Sequence, residues 1–470
     1  LVVSSKLETV EECNDEILLL SGSEISRRIK DGKITCLEVV DAAIRRLKQV
    51  NPQINAVVTF RFQEARLDAK KIDRLLKKKD PFMMNSPLAG VPCVVKECME
   101  MPGMPYTAGV KTRMNQVGSK YATCVRRAMD AGVIILGGTN TSEACMFHES
   151  NNTIYGLTRN PYDLARTVGG SSGGCAAAIA SFICPIAITS DVGGSTRIPS
   201  LYCGLFGHKA TGGSVPNTGT FPHIPPNSLI SRYCQIGPTV RFVEDLYPFM
   251  NILYGPDGVD KQVRDKSEIR LSSPRDFHPQ KHVVVFDLHE PFQSCLKGCS
   301  RYHPEMKRAH NEIVKNMLRH FENSDHVVLS VRKDLPELEE AFDIWSSMLD
   351  ASRSQTFLET ISSKGDHVLT TCEALIELLK CLLRCNRTCR NGTYDHTLPA
   401  VGLGILEHTV RLVPSRAKRL VKCGERLRER LNKLLGNNGV LVVPSLLCPA
   451  PRHHENILRI ISSGQTGIFN

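Results

Sequence analysis

From Gly90 onward the chain alternates short apolar runs with helical stretches, and this alternation limits the fold more than any other feature. The runs are Val91–Val95, Val133–Leu136, Pro185–Thr189, Val283–Phe286, Val327–Val331 and Val440–Val443. Each is short for a helix, and unbroken apolar character marks a strand covered on both faces. Strands separated by helices pack as one layer between others. The expected fold class is therefore α/β, a mixed and twisted β-sheet covered by helices. Neither an internal repeat nor a low-complexity linker divides the 470 residues, so a single domain over 1–470 is the economical reading.

Ahead of that region, residues 24–49 read as two helices. Val40, Ala43, Ile44 and Leu47 fall on one helical face, and Asn51-Pro52 is expected to stop the second helix. Ala56–Phe60 reads as a strand. A charged helix follows it and fades into Lys77-Lys78-Lys79, a solvated helix end.

Composition excludes several function classes. Apolar residues make up 41% and charged residues 23%, as in a globular protein rather than a disordered one. The formal charge is +11, but no Lys/Arg stripe interleaved with aromatics accompanies it, so nucleic acid is not an expected partner. The 18 cysteines are scattered. Cys295/Cys299 and Cys381, Cys385, Cys389 fall at helical spacing without any C-x-x-C pair, so no metal site is expected, and reduced thiols in a reducing compartment are. Sequons at Asn140, Asn151, Asn386 and Asn391 would matter only in a secreted chain. No stretch reaches the roughly eighteen apolar residues of a membrane span. The first residue is Leu1 rather than Met, which leaves room for a segment ahead of it.

The most informative segment is Gly169-Gly170-Ser171-Ser172-Gly173-Gly174-Cys175, followed by Ser190-Asp191-Val192-Gly193-Gly194-Ser195-Thr196-Arg197-Ile198-Pro199. Glycines allow close backbone approach, so several N–H groups can converge on a phosphate or on the oxyanion of a tetrahedral intermediate. A phosphate loop should end in Gly-Lys-Ser/Thr, whereas this one ends in Gly174-Cys175. Gly169–Gly173 also fits the G-x-S-x-G nucleophile elbow, but that elbow needs a strand running into it, and residues 162–167 do not read as one. A plain Gly/Ser turn would account for one such loop but not for two.

These residues resemble the amidase signature family, in which a Gly-Gly-Ser-Ser-Gly-Gly loop is followed by Asp-x-Gly-Gly-Ser-x-Arg-x-Pro. Ser171 and Ser195 stand 24 positions apart, the family's spacing. Gly90–Glu97 resembles its lysine strand, and Cys203–Lys209 and Gly237–Leu246 resemble later landmarks. The match runs from about residue 20 to the end, with a motif-bearing core at about 90–250. Ser150–Gly156, Gly207-His208-Lys209 and Val442-Val443-Pro444-Ser445 are similar to the branch that hydrolyses fatty-acid amides. The amidotransferase branch is expected to carry Gln where Ile198 stands, and an apolar residue there suits a lipid-facing pocket.

The resemblance implies a site, residue by residue. Ser195 would attack the amide carbonyl, Ser171, in a cis linkage, would relay its proton, and Lys96 would be the final base. The N–H groups of Val192, Gly193, Gly194 and Ser195 would form the oxyanion hole. Ser172, Asp191 and Arg197 would support the two loops, and His148 and His208 would be structural. Lysine is a base only when neutral, and burial on the Val91–Val95 strand is the desolvation expected to lower its pKa from about 10.4. A salt bridge to Glu97 is disfavoured because neighbouring strand residues face opposite ways. No cofactor or metal is implied.

The implied partner is a small-molecule amide of lipid character. Contact with a membrane surface and a homodimer are further expectations, in an intracellular location with any membrane attachment through a preceding N-terminal segment. Leu375, Leu378, Leu379 and Leu382, broadened by Ile376 and Leu383, form a helical stripe read as core first and membrane cap second. Arg416–Leu435 reads as a basic amphipathic surface helix. Cys175 and Thr196 depart from the family's usual residues. The chain stops at Asn470, where family members continue into final strands and a helix, so a missing C-terminal part and an open sheet edge are expected. The alternatives are a small-amide amidase, an amidotransferase subunit, or a truncated inactive homologue.

Overall fold

Six strands pair in the order Val57–Phe60, Ile134–Thr139, Pro92–Lys96, Ile186–Asp191, Gln235–Val240 and Phe206–Gly207. The three consecutive strands Ile134–Thr139, Pro92–Lys96 and Ile186–Asp191 run parallel, and the outer pairings are antiparallel, so the sheet is mixed. The computed structural model describes residues 8–224, 228–269, 271, 273, 283–287, 302–321, 327–331, 335–352, 355–362, 373–376, 395–411, 413–436, 439–456 and 464–469. Pro92–Lys96, Ile134–Thr139, Ile186–Asp191 and Gln235–Val240 are buried at every position. Full burial is why these strands read as unbroken apolar runs rather than alternating ones. The helix Gly173–Ala180 lies against Pro92–Lys96 and Ile186–Asp191, and Leu246–Leu253 lies against Gln235–Val240.

A separate three-stranded parallel sheet has Val283–Asp287 at its centre, flanked by Val327–Val331 and Gly439–Val442. Every expected strand run is present, displaced by no more than three residues at either end.

Three expectations change. Asn51-Pro52 does not stop its helix, which runs Cys36–Ile54 with Pro52 inside. The turn comes at Asn55, at φ 49°, and the Asn51 carboxamide accepts from the N–H groups of Ala56 and Val57 at 2.9 Å each. Asp163–Thr167 is a strand after all. It pairs with Arg159–Asn160 in a two-stranded ribbon outside the main sheet and is mostly uncovered, so Asp163 and Arg166 interrupt it and no apolar run marks it. Gln235–Val240 is not among the expected strand runs, its Gly237-Pro238 falling only in a family landmark, yet it pairs with Ile186–Asp191 along its whole length.

The basic helix spans Pro414–Leu435 and buries Leu420, Cys423, Gly424 and Leu427. Arg416, Arg419 and Arg430 pair with Asp343, Glu340 and Glu337 on the segment that contains the helix Ala341–Ser352. In the leucine stripe, Leu375 and Ile376 are exposed, while Leu378, Leu379, Leu382 and Leu383 lie outside the described residues, as do Cys295, Cys299, Cys381, Cys385 and Cys389. Among the described residues no helix is long and apolar enough to cross a membrane.

Candidate active site

Lys96 is the last residue of the Pro92–Lys96 strand and is fully buried. Its Nζ donates to Ser171 Oγ at 2.6 Å and to Ser190 Oγ at 3.0 Å. The neighbouring Glu97 faces away, as strand alternation requires. Its Oε1 accepts from the N–H and hydroxyl of Thr107 at 2.8 Å each and from the Tyr155 hydroxyl at 3.1 Å.

Ser171 follows a cis peptide bond from Gly170. The glycines of this loop serve close packing. A Cβ at Gly170 would lie 2.5 Å from the Phe147 carbonyl oxygen, and one at Gly174 would lie 2.6 Å from that of Ala56. Ser150 clamps the loop, with its hydroxyl donating to the carbonyls of Gly169 and Ser171 and accepting from Gly173 N–H at 2.8 Å. Ser172 ties the two loops together through its N–H to the Ser195 carbonyl at 3.1 Å and its hydroxyl to the Ser190 carbonyl at 3.3 Å.

The second loop is organised around Asp191. Its carboxylate accepts from Gly194 N–H at 2.7 Å, Thr196 N–H at 3.1 Å and the Arg197 guanidinium at 2.8 and 2.9 Å. Although burial opposes ionisation, Arg197 and these N–H donors hold Asp191 well below the usual carboxylate range. Gly194 N–H is thus committed within the loop and is not a free donor of the expected oxyanion hole. No acceptor among the described residues takes the N–H groups of Val192, Gly193 or Ser195. Arg197 reaches beyond its own loop, and its Nη1 donates to the Thr466 carbonyl at 2.9 Å.

Trp345 underpins the same loop from the helix Ala341–Ser352. Its Nε1 donates to the Val192 carbonyl at 3.1 Å. A Cβ at Gly193 would stand 2.5 Å from its ring, and one at Gly467 would stand 2.8 Å from it. Ile198 does not face a substrate pocket, contrary to expectation. It is buried against Tyr202 and Leu446.

Ser195, Ser171, Ser190 and Lys96 line one cavity of about 640 Å³, with Val192, Tyr106, Phe221, Cys98, Cys145 and Arg113 among its other walls. That volume lies within the range of small-molecule sites. Neither His148 nor His208 lines it, and burial lowers the pKa of His148 to about 4. The setting of Lys96 differs from the expected one. Burial works against its charged form, but the thiols of Cys145, Cys98, Cys175 and Cys234 oppose that and hold the lysine above its ordinary value. Burial keeps Cys175 protonated up to about 12, whereas the neighbouring Cys98 thiol and the Lys96 charge pull Cys145 downward. Of these four, Cys145 acts most strongly on Lys96.

Sequence reasoning passed over Ser190, Ser150 and Trp345. Ser190 is two residues before Val192 at the strand end, and its place facing Lys96 follows from the Ile186–Asp191 strand pairing with Pro92–Lys96. Trp345 is the chain's one tryptophan, and nothing in its surrounding sequence marks it.

A buried lysine under a Gly/Ser loop, beside a second loop that carries a cavity-lining serine, defines an amidase-type site on a mixed α/β sheet. The Amidase family profile matches residues 38–463, and the chain belongs to that amidase signature family of serine hydrolases. It is 33% identical to fatty-acid amide hydrolase 2 of Homo sapiens, over 98% of this chain and 83% of that one. It is 35% identical to fatty-acid amide hydrolase 2-A of Danio rerio, over 97% of this chain and 81% of that one. The solved structure of a bacterial aryl acylamidase superimposes with a TM-score of 0.69 at 23% identity, covering 92% of this chain and 81% of that one, a likeness of fold.

Proposed function

We propose that this chain hydrolyses fatty-acid amides through an acyl-enzyme on Ser195, with Ser171 and Lys96 moving the proton. The supporting observation is the 2.6 Å contact between Lys96 Nζ and Ser171 Oγ, buried in the wall of the cavity that Ser195 also lines. Once Lys96 has lost its own proton, which its raised pKa makes the uphill part of the step, it accepts the Ser171 proton while Ser171 takes that of Ser195, whose oxygen bonds to the carbonyl carbon. Negative charge then collects on the carbonyl oxygen, facing the N–H groups of Val192, Gly193 and Ser195. Losing one such donor typically costs about 100- to 1000-fold in rate. Collapse of the intermediate breaks the C–N bond as Ser171 returns the proton to the departing nitrogen. Water then enters by the same relay: its proton passes through Ser171 to Lys96 as its oxygen bonds to the acyl carbon, and the proton returns to Ser195 Oγ as the C–O bond breaks and the acid leaves.

The lipid character of the substrate is supported by the two fatty-acid amide hydrolase relatives, which this chain matches over nearly its whole length. Fluorophosphonate labelling, peptide mass spectrometry and a chain-length series test the reading. Label on Ser195 that vanishes in Lys96→Ala, with long-chain amides cleaved faster than short ones, is the expected result. An unlabelled Ser195 in folded protein, or a preference for short amides, overturns it.

A further inference from the structure

We propose that Arg113 is the anion-recognition residue of the catalytic cavity, so that the favoured amide substrates carry a carboxylate. The inference rests on amide hydrolysis at Ser195 and narrows its substrate class.

Arg113 is half-buried and lines the same cavity as Ser195. Its guanidinium lies 3.8 Å from the Phe221 ring centroid and 5.2 Å from that of Tyr106. These two rings fix the plane of the fork. Among the described residues one protein acceptor serves it, the Tyr106 carbonyl, at 3.1 Å from Nη2. Its Nε is buried without a partner, and among the described residues no carboxylate forms an ion pair with it. A guanidinium carries five donors, so most of this fork is unused.

The acids of the cavity wall are occupied elsewhere. Glu100 Oε1 accepts from the N–H and hydroxyl of Ser119 and from Lys120 N–H, at 2.8, 2.9 and 3.2 Å. Glu359 accepts from Thr356 N–H at 2.6 Å, capping its own helix. The other buried cation of the wall, Lys96, is held by two hydroxyls. Among the described residues no carboxylate reaches ion-pair distance of the half-buried Arg113; Glu97 and Glu100 attract it only from further off, and burial lowers its pKa. Such a group is costly unless a ligand completes it. A neutral fatty amide offers nothing to do so. A carboxylate matches the fork in two parallel hydrogen bonds.

The carboxylate can sit on either side of the scissile bond, on the amine in an N-acyl amino acid or at the far end of the acyl chain in a dicarboxylic half-amide. Two matched pairs separate these sources on the full chain. One is an N-acylglycine against the N-acylethanolamine of the same acyl chain, and the other is a long dicarboxylic half-amide against the primary amide of equal length. In at least one pair the charged member is expected to lead in kcat/KM by about 10- to 100-fold, the worth of hydrogen bonds to charged groups. Arg113→Leu should collapse that ratio toward one through KM, and Arg113→Lys should keep part of it. A residue that merely braces Tyr106 and Phe221 would slow both members alike and leave the ratio standing, which overturns the proposal. So does a wild-type preference for the neutral members in both pairs, a result that needs no variant to fold. If fluorophosphonate labels Ser195 while the ratios stay near one, only the carboxylate inference falls. If Ser195 is neither labelled nor active on any of the four compounds, amide hydrolysis itself falls.

Discussion

Lys96 Nζ stands 2.6 Å from Ser171 Oγ, while the carboxylate of the next residue, Glu97, is turned toward Thr107 and Tyr155. The lysine therefore faces a hydroxyl rather than a counter-ion, as the proposed relay requires. An amide's nitrogen must be protonated as it leaves, whereas an ester's alkoxide leaves readily without help. Ser171→Ala should accordingly lower amide turnover by about 100- to 10,000-fold and ester turnover markedly less. Steady-state rates on an amide and an ester of the same acyl chain check this, and equal losses on both would remove Ser171 from the relay.

The pH profile should depend on a residue that takes no part in bond-making. Cys145 raises the pKa of Lys96, and under the proposed mechanism the rate rises with pH as Lys96 loses its proton. Removing that thiol lowers the lysine's pKa, so the acid limb of kcat/KM should move to lower pH in Cys145→Ser. An unmoved limb would mean that Lys96 is not the titrating base.

Trp345 should report on the site as well as support it. Trp345→Phe keeps a ring against Gly193 but loses the donor to Val192, at a cost of about 1 kcal/mol in stability. Trp345→Ala also loses the packing and should cost roughly 2–4 kcal/mol, with a lower kcat. Because the chain has 1 tryptophan, its emission should change when Ser195 is acylated, and a fluorescence titration with a fluorophosphonate would show it. Constant emission in fully labelled protein would separate Trp345 from the reacting loop.

Glu97 sets a pH dependence of stability. Burial raises its carboxyl to about 7, and its Oε2 has no partner. The unfolded chain releases this proton near pH 4.3, about the ordinary glutamate value, and the folded chain only near 7. Folding therefore loses stability as pH rises between those values and loses no more above them. Glu97→Gln removes the titration, so the fall in Tm between pH 5 and pH 8 should shrink. An unchanged fall would assign it to other groups.

Much of the sheet could be read from the chain because its central strands are covered on both faces and leave unbroken apolar runs such as Val91–Val95. Where a strand's neighbours are solvent and charge, as at Asp163–Thr167, no such run exists. Gln235–Val240 carries Gly237 and Pro238, which suit a turn as well as they suit a strand whose pairing is decided by Ile186–Asp191. The same contrast holds at the site. Lys96, Ser171 and Ser195 sit in a local pattern, two glycine-rich loops and a strand, and the fold gathers them around one cavity. Trp345, Arg113 and the commitment of Gly194 N–H to Asp191 arise from long-range packing or from a single backbone geometry, and neither leaves a local trace.

The bracing of the second loop from distant parts of the chain has a consequence for biosynthesis. A ribosome has released Lys96, Ser171 and Ser195 well before it reaches Trp345, and Thr466 and Gly467, which meet Arg197 and Trp345, come later still. The growing polypeptide thus holds its reactive groups long before it holds their supports. The proposed hydrolytic competence should arrive late in translation, after the emerging chain has passed through a vectorial stage in which Ser195 is already made and not yet braced.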